Sequence, residues 1–175
     1  MLVTDDEVLA TRARHLATQA KIAGSEYAHD EIGYNYRLTN LQAAVGLSQL
    51  ERLGEFLAVR KTIAERYDRE FADLFLRGAL GPGPRVAWAE PSHWLYSVRV
   101  AGRSKELIAG LVAAGIEARR IWTPMHLQRP YLGVETLGRS RAEALFEDTI
   151  SLPSSASLTD VQQSRVIDFV RRFMR

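Results

Sequence analysis

The chain has 175 residues, 46% of them hydrophobic and 25% charged, with a formal net charge of +2, which is enough apolar content for one full core or a core with an arm. It contains no cysteine, which excludes disulfides, thiolate zinc sites, iron–sulfur clusters and cysteine nucleophiles. Twenty of its 23 basic residues are arginines, but the net charge is too small, and the arginines too dispersed, for a nucleic-acid phosphate track.

The first element is Met1-Leu2-Val3, which reads as the end of a buried strand or, alternatively, as an edge strand. Thr4 and Glu7 have capping-box spacing, and Leu9, Ala13, Leu16 and Ala20 share one face, so a helix is expected over about residues 5–20. Residues 21–38 hold Gly24, Gly33 and three tyrosines without a clear period, as in a long ordered loop or arm. A second box, Thr39 with Gln42, opens the longest predicted helix, whose apolar face continues to about residue 75. Gly54 would mark a bend or a close crossing in it.

Gly78, Gly81, Pro82, Gly83 and Pro84 form a turn-rich break, so a linker is expected over 78–90, between segments 1–77 and 91–175. Trp94 to Val100 alternates as a strand. Ser104 to Ala114 is helical, with Gly115 where a left-handed residue ends the helix. A strand over 116–121 follows, then a helix capped by Ser140 with Glu143, a short strand at Ile150 and Leu152, and a last helix opened by Thr159 with Gln162. The tail is therefore β-α-β, loop, α-β-α, a small two-layer α/β unit.

Three segments are rich in functional side chains; in one of them, Pro91 to Tyr96, the aromatics read as packing the core of the small domain. In Tyr27 to Arg37, Asn35 both donates and accepts and Arg37 offers a fork of donors, which suits a phosphate-like anion. The alternative is an interface arm that buries its aromatics. His29 is a candidate general base or a hydrogen-bonded structural histidine. In Arg119 to Tyr131, two arginines end a strand and a proline-framed histidine, His126, follows, as at the lip of a polar-ligand cleft. Trp122 and Tyr131 would stack on a ligand or pack the core. Lys21, Lys61 and Lys105 have no evident partner set and read as solvated lysines. His15, His29, His93 and His126 show no close metal-ligand spacing, so no metal is expected. With no leader and no run of 18 apolar residues, the protein is expected to be cytoplasmic, without a membrane partner.

The block Gly33-Tyr34-Asn35-Tyr36-Arg37-Leu38-Thr39-Asn40-Leu41-Gln42-Ala43-Ala44, with Gln49-Leu50-Glu51-Arg52-Leu53 after it, resembles the DegT/DnrJ/EryC1/StrS family of sugar aminotransferases. Trp94-Leu95-Tyr96, Gly115-Ile116, Pro124-Met125-His126 and Ser151-Leu152-Pro153 recur in the order of that family. The lead-in Tyr27-x-His29-x-Glu31 is most similar to the branch making amino sugars for surface polysaccharides.

The resemblance implies the C-terminal part of an aspartate-aminotransferase-type, fold type I pyridoxal-phosphate (PLP) enzyme. Residues 1–77 would be the end of the large cofactor domain, the interface arm and the long helix, and 91–175 the small C-terminal α/β domain. It further implies a homodimer with Asn35, Arg37 and Tyr34 as cofactor-binding residues: Asn35 would reach the cofactor phosphate across the subunit boundary, Arg37 would brace the arm and the phosphate region, and Tyr34 would line or support the arm. His29, Arg119, His126 and Tyr36 would face a nucleotide-linked keto sugar, with glutamate as amino donor. The Schiff-base lysine of the family would lie upstream of residue 1, so the chain alone is expected to lack transaminase activity. Relatives with histidine at that position dehydrate sugars instead. The alternative function is a non-catalytic dimerisation module derived from the same fold.

Overall fold

The computed structural model describes residues 2–24 and 27–175. Met1 and two residues of the expected arm lie outside them. The chain divides into two compact units, Met1–Arg52 and Leu53–Arg175.

The first unit carries α1 (Glu7–Ala17) and α2 (Asn40–Glu51). Leu2 and Val3 belong to no strand and are exposed, contrary to the expected buried strand: they pair with no backbone among the described residues. The cap of α1 is also shifted. Asp6 accepts from Val8 N at 2.9 Å and Leu9 N at 3.0 Å, and Thr4 Oγ1 accepts from Asp6 N instead. A carboxylate at a helix start adds charge complementarity that a hydroxyl lacks. α1 ends three residues earlier than expected because Gln19 and Ala20 take left-handed φ values of 64° and 52°. By contrast α2 opens with the expected box: Gln42 N donates to Thr39 Oγ1, and Thr39 N to Gln42 Oε1.

The predicted continuous helix to residue 75 is in fact three helices. α2 stops at Arg52, whose N–H turns back to Gln49 O at 3.2 Å, and α3 (Leu53–Glu70) and α4 (Ala72–Leu76) follow. The interruption precedes Gly54. A Cβ built at Gly54 meets nothing within 4 Å, so that glycine marks no close crossing.

The second unit contains α3, α4, β1 (Tyr96–Arg99), α5 (Ser104–Ala113), β2 (Arg119–Arg120), two 3-10 turns, α6 (Arg139–Asp148), β3 (Thr149–Leu152) and α7 (Asp160–Phe173). The strands form one antiparallel sheet in the order β1-β3-β2, with Tyr96 opposite Leu152 and Arg119 opposite Ser151. Its core joins Ile63, Tyr67, Phe71 and Leu74 to Val98, Ile150, Leu107 and Val170. Gln163 on α7 is buried and donates to Ile63 O at 2.8 Å, which satisfies a polar group that would otherwise be costly to bury.

Residues 53–77 therefore share a core with the small α/β domain, and the boundary lies at Arg52 rather than over 78–90. The turn-rich stretch is part of the packing: Leu80 is buried, and Gly81 exchanges backbone hydrogen bonds with Arg99. The expected strands at 94–100 and 116–121 shorten to four and two residues, because only those residues find a ladder partner on β3. α6 is entered through Gly138, φ 68°, with no side-chain cap, so Ser140 lies inside the helix. Thr159 and Gln162 cap α7 reciprocally, as expected.

Tyr67 and Tyr96 stack at 4.7 Å. Burial raises both phenol pKa values, and for Tyr96 the nearby Asp68 carboxylate raises it further. Both rings stay neutral, and each hydroxyl has an acceptor: Pro153 O for Tyr67 and Asp68 Oδ1 for Tyr96, both at 2.9 Å.

Candidate functional site

The arm is built on the left-handed turn at Gln19 and Ala20. After it the chain returns antiparallel to the end of α1: Tyr34 N donates to Leu16 O at 2.7 Å, Gln19 N to Tyr34 O at 3.0 Å, and Tyr36 N to Ala17 O at 3.0 Å. This approach needs a residue without a side chain at position 33. A Cβ on Gly33 would lie 2.4 Å from Ala20 N and 2.4 Å from the Gln19 carbonyl carbon. A second tie joins the arm to α1: Arg12 pairs with Glu31, and His15 Nε2 lies 2.7 Å from Asp30 Oδ1. The His15 hydrogen bond is the largest cause lowering the Asp30 pKa. His15, Asp30 and Glu31 bring the donor types of a metal site within 4.8 Å of one another, and Glu31 is also paired with Arg12.

This scaffold sets Asn35 and Arg37 into one depression of about 560 Å³, together with Thr18, Gln19 and Lys21. Neither the Asn35 nor the Arg37 side chain has a hydrogen-bond or ion-pair partner among the described residues. The guanidinium and the amide keep free donors, and the Lys21 ammonium, 5.3 Å from the Tyr27 ring centroid, adds positive charge; groups of these kinds suit an anion. Lys21 was not singled out by its sequence context; the left-handed turn carries it there. Tyr34 and Tyr36 stack on each other at 5.3 Å, and both rings are exposed. His29 Nδ1 lies 2.8 Å from Gln19 O, the geometry of its structural-histidine alternative.

In the second unit Arg119 lines a separate pocket of about 430 Å³ with Arg60, Trp94, Glu117 and the Ser151–Ser155 segment. His126, in the 3-10 turn Met125–Leu127, is largely buried, and its Nε2 lies 2.7 Å from Glu143 Oε1. His126 and Arg119 thus lie in different surroundings. Arg60 has no local signal in the sequence that places it in this pocket, and Glu143, expected as the cap partner of Ser140, meets His126 instead. Lys105 is mostly exposed, its Nζ 3.8 Å from Glu147 Oε2, and Lys21 and Lys61 are exposed. No helix of the described residues is long and apolar enough to cross a membrane.

The chain has the architecture of fold type I PLP-dependent aminotransferases over the length matched. The chain belongs to the DegT/DnrJ/EryC1/StrS aminotransferase family, which it matches over residues 1–171. It is 38% identical over 172 residues to GDP-perosamine synthase of Caulobacter vibrioides, covering 95% of this chain and 46% of that protein. Among solved structures it is similar to DesV of S. venezuelae in complex with a ketimine intermediate, at 32% identity and TM-score 0.80, covering 99% of this chain and 46% of the other. It is also similar to the PLP form of the sugar aminotransferase Spr1654 of Streptococcus pneumoniae, at 29% identity and TM-score 0.81, covering 98% and 44%. The chain thus spans about half the length of the curated relatives it matches.

Proposed function

We propose that the chain is part of a PLP-dependent enzyme that transfers an amino group, from glutamate, to a nucleotide-linked keto sugar for amino-sugar or polysaccharide synthesis in the cytoplasm. The observation that carries this reading is the depression in which Asn35 and Arg37 present unpaired side chains beside Lys21. The free donors and positive charge fit a phosphate monoester. PLP, when bound, supplies the electron sink for the amino transfer. The part of this chain is to hold and orient. Arg37 and Asn35 bind the cofactor phosphate, Asn35 from the neighbouring subunit, and the exposed Tyr34 ring walls the arm. Tyr36, His29, Arg119 and His126 contact the substrate. None of Lys21, Lys61 and Lys105 has the packed surroundings that poise a Schiff-base lysine, and we assign none of them a covalent role.

The homodimer is supported by α2. No residue of it is buried, and Leu41, Val45, Leu47 and Leu50 are all more than half exposed, although a helix apolar on several faces is normally covered. The same helix favours the second reading, a dimerisation module without catalysis. Light scattering of the 19.7 kDa chain tests both. A dimer is expected, stabilised by added PLP, and Leu41→Asp with Val45→Asp should return it to monomer. A dimer indifferent to PLP favours the module, and a monomer overturns both.

A further inference from the structure

The turn that carries His126 is gripped by α6. That helix has no buried residue and starts at Gly138 without a side-chain cap, yet two of its glutamates reach back to the segment before it. Glu147 Oε1 accepts from Arg120 Nη1 at 3.1 Å, and the Arg120 guanidinium lies 5.0 Å from the centre of the Phe146 ring. Glu143 Oε1 lies 2.7 Å from His126 Nε2. Residues four apart on a helix share a face, so one face of α6 holds the segment 120–126 at both ends. Leu127 N bonds back to Pro124 O at 2.9 Å, which closes the 3-10 turn beneath the imidazole. The ring itself is only 13% exposed.

A carboxylate accepts hydrogen bonds and donates none. The proton of the His126–Glu143 contact therefore sits on Nε2. In the neutral ring the lone pair then belongs to Nδ1, and that atom has no hydrogen-bond partner among the described residues. We infer that Glu143 is a positioning residue: it holds His126 in the Nε2–H tautomer and leaves Nδ1 as the accepting atom of the ring. His126 then meets a substrate as the acceptor of a hydroxyl or ammonium proton, and not as a donor to a phosphate or carbonyl oxygen. This use of Nδ1 rests on the reading of His126 as a substrate contact, whereas the tautomer stands on the Glu143 contact alone. His29 is held the other way. Its Nδ1 lies 2.8 Å from Gln19 O, and a carbonyl also only accepts, so there Nδ1 carries the proton.

The test is a nitrogen–proton correlation spectrum of the imidazole rings of the 175-residue chain, at about pH 8, where an ordinary histidine is neutral. His126→Gln assigns the signals. His126 should show a pyrrole-like Nε2, a pyridine-like Nδ1 and an Nε2–H proton protected from solvent exchange, and His29 supplies the opposite pattern in the same spectrum. Acidification should move Nδ1 of His126 and leave Nε2 pyrrole-like. Glu143→Leu should draw the two nitrogen signals toward each other and quicken exchange of the Nε2–H proton at least about tenfold, as loss of a hydrogen bond to a charged group does. Glu143→Gln keeps an acceptor oxygen and should retain the wild-type pattern, which a contact serving charge balance alone would lose. A protonated Nδ1 in the wild-type chain, or a His126 spectrum unmoved by Glu143→Leu, overturns the inference. The wild-type spectrum decides the tautomer even where a substitution harms folding. The pattern is read without cofactor or substrate, so it holds or fails separately from the proposed function.

Discussion

Tyr67→Ala is expected to unfold the second unit at markedly lower urea, with a loss of about 3–5 kcal/mol, as for other large aromatic truncations. Tyr67 is fully buried on α3. Its ring stacks on Tyr96 at 4.7 Å and on Phe71 at 5.7 Å, and its hydroxyl reaches Pro153 O across 86 positions of sequence. Truncation removes the ring from the meeting point of α3, β1 and the turn after β3. Tyr67→Phe separates the contributions. It keeps the ring and strands one carbonyl, so about 1 kcal/mol should be lost. Denaturation followed at the tryptophans of residues 88–122 measures both. If Tyr67→Ala left that transition unmoved, α3 would not belong to the core of the small domain.

Gly33→Ala should open the arm. The added methyl carbon would sit 2.4 Å from backbone atoms of Gln19 and Ala20, and backbone cannot swing aside as a flexible side-chain end can. Overpacking of this kind costs about 1–3 kcal/mol. At about 2 kcal/mol, hydrogen exchange at the Gln19, Tyr34 and Tyr36 amides should quicken roughly thirtyfold, with little change on α7. Equal protection in the variant would mean that the arm does not dock on the end of α1.

What was legible in the sequence was mainly local. Thr39 with Gln42 and Thr159 with Gln162 could be read because a capping box is closed within four residues. The order of elements after residue 90 could be read because the hydrophobic period changes at each turn. Asn35 and Arg37 stood out as donors beside a glycine, and the arm holds them in one depression.

The rest depends on distance along the chain. The apolar face of α3 was visible, but its partner was not. Gln163 meets Ile63 and Tyr67 meets Pro153, contacts no local pattern encodes. The domain boundary was therefore expected at the glycine-proline stretch, where composition changes, rather than at Arg52, where contacts do. Thr4 and Glu7 had the spacing of a cap, yet Asp6, one residue before the helix and charged, took the role. Lys21 reads as solvated and is exposed, but its place in the depression has no local signal, because nothing in the sequence announces that Gln19 and Ala20 adopt positive φ.

The central claim, that Asn35 and Arg37 hold a cofactor phosphate, is tested most directly by titrating the chain with pyridoxamine 5′-phosphate and with pyridoxamine, read at the Asn35 and Tyr36 amides. The phosphorylated compound should bind saturably and the bare one should not, and Arg37→Ala should weaken binding at least about tenfold while Arg119→Ala leaves it unchanged. Equal binding of the two compounds, or an Arg37→Ala chain that binds as well as the wild type, would contradict the account.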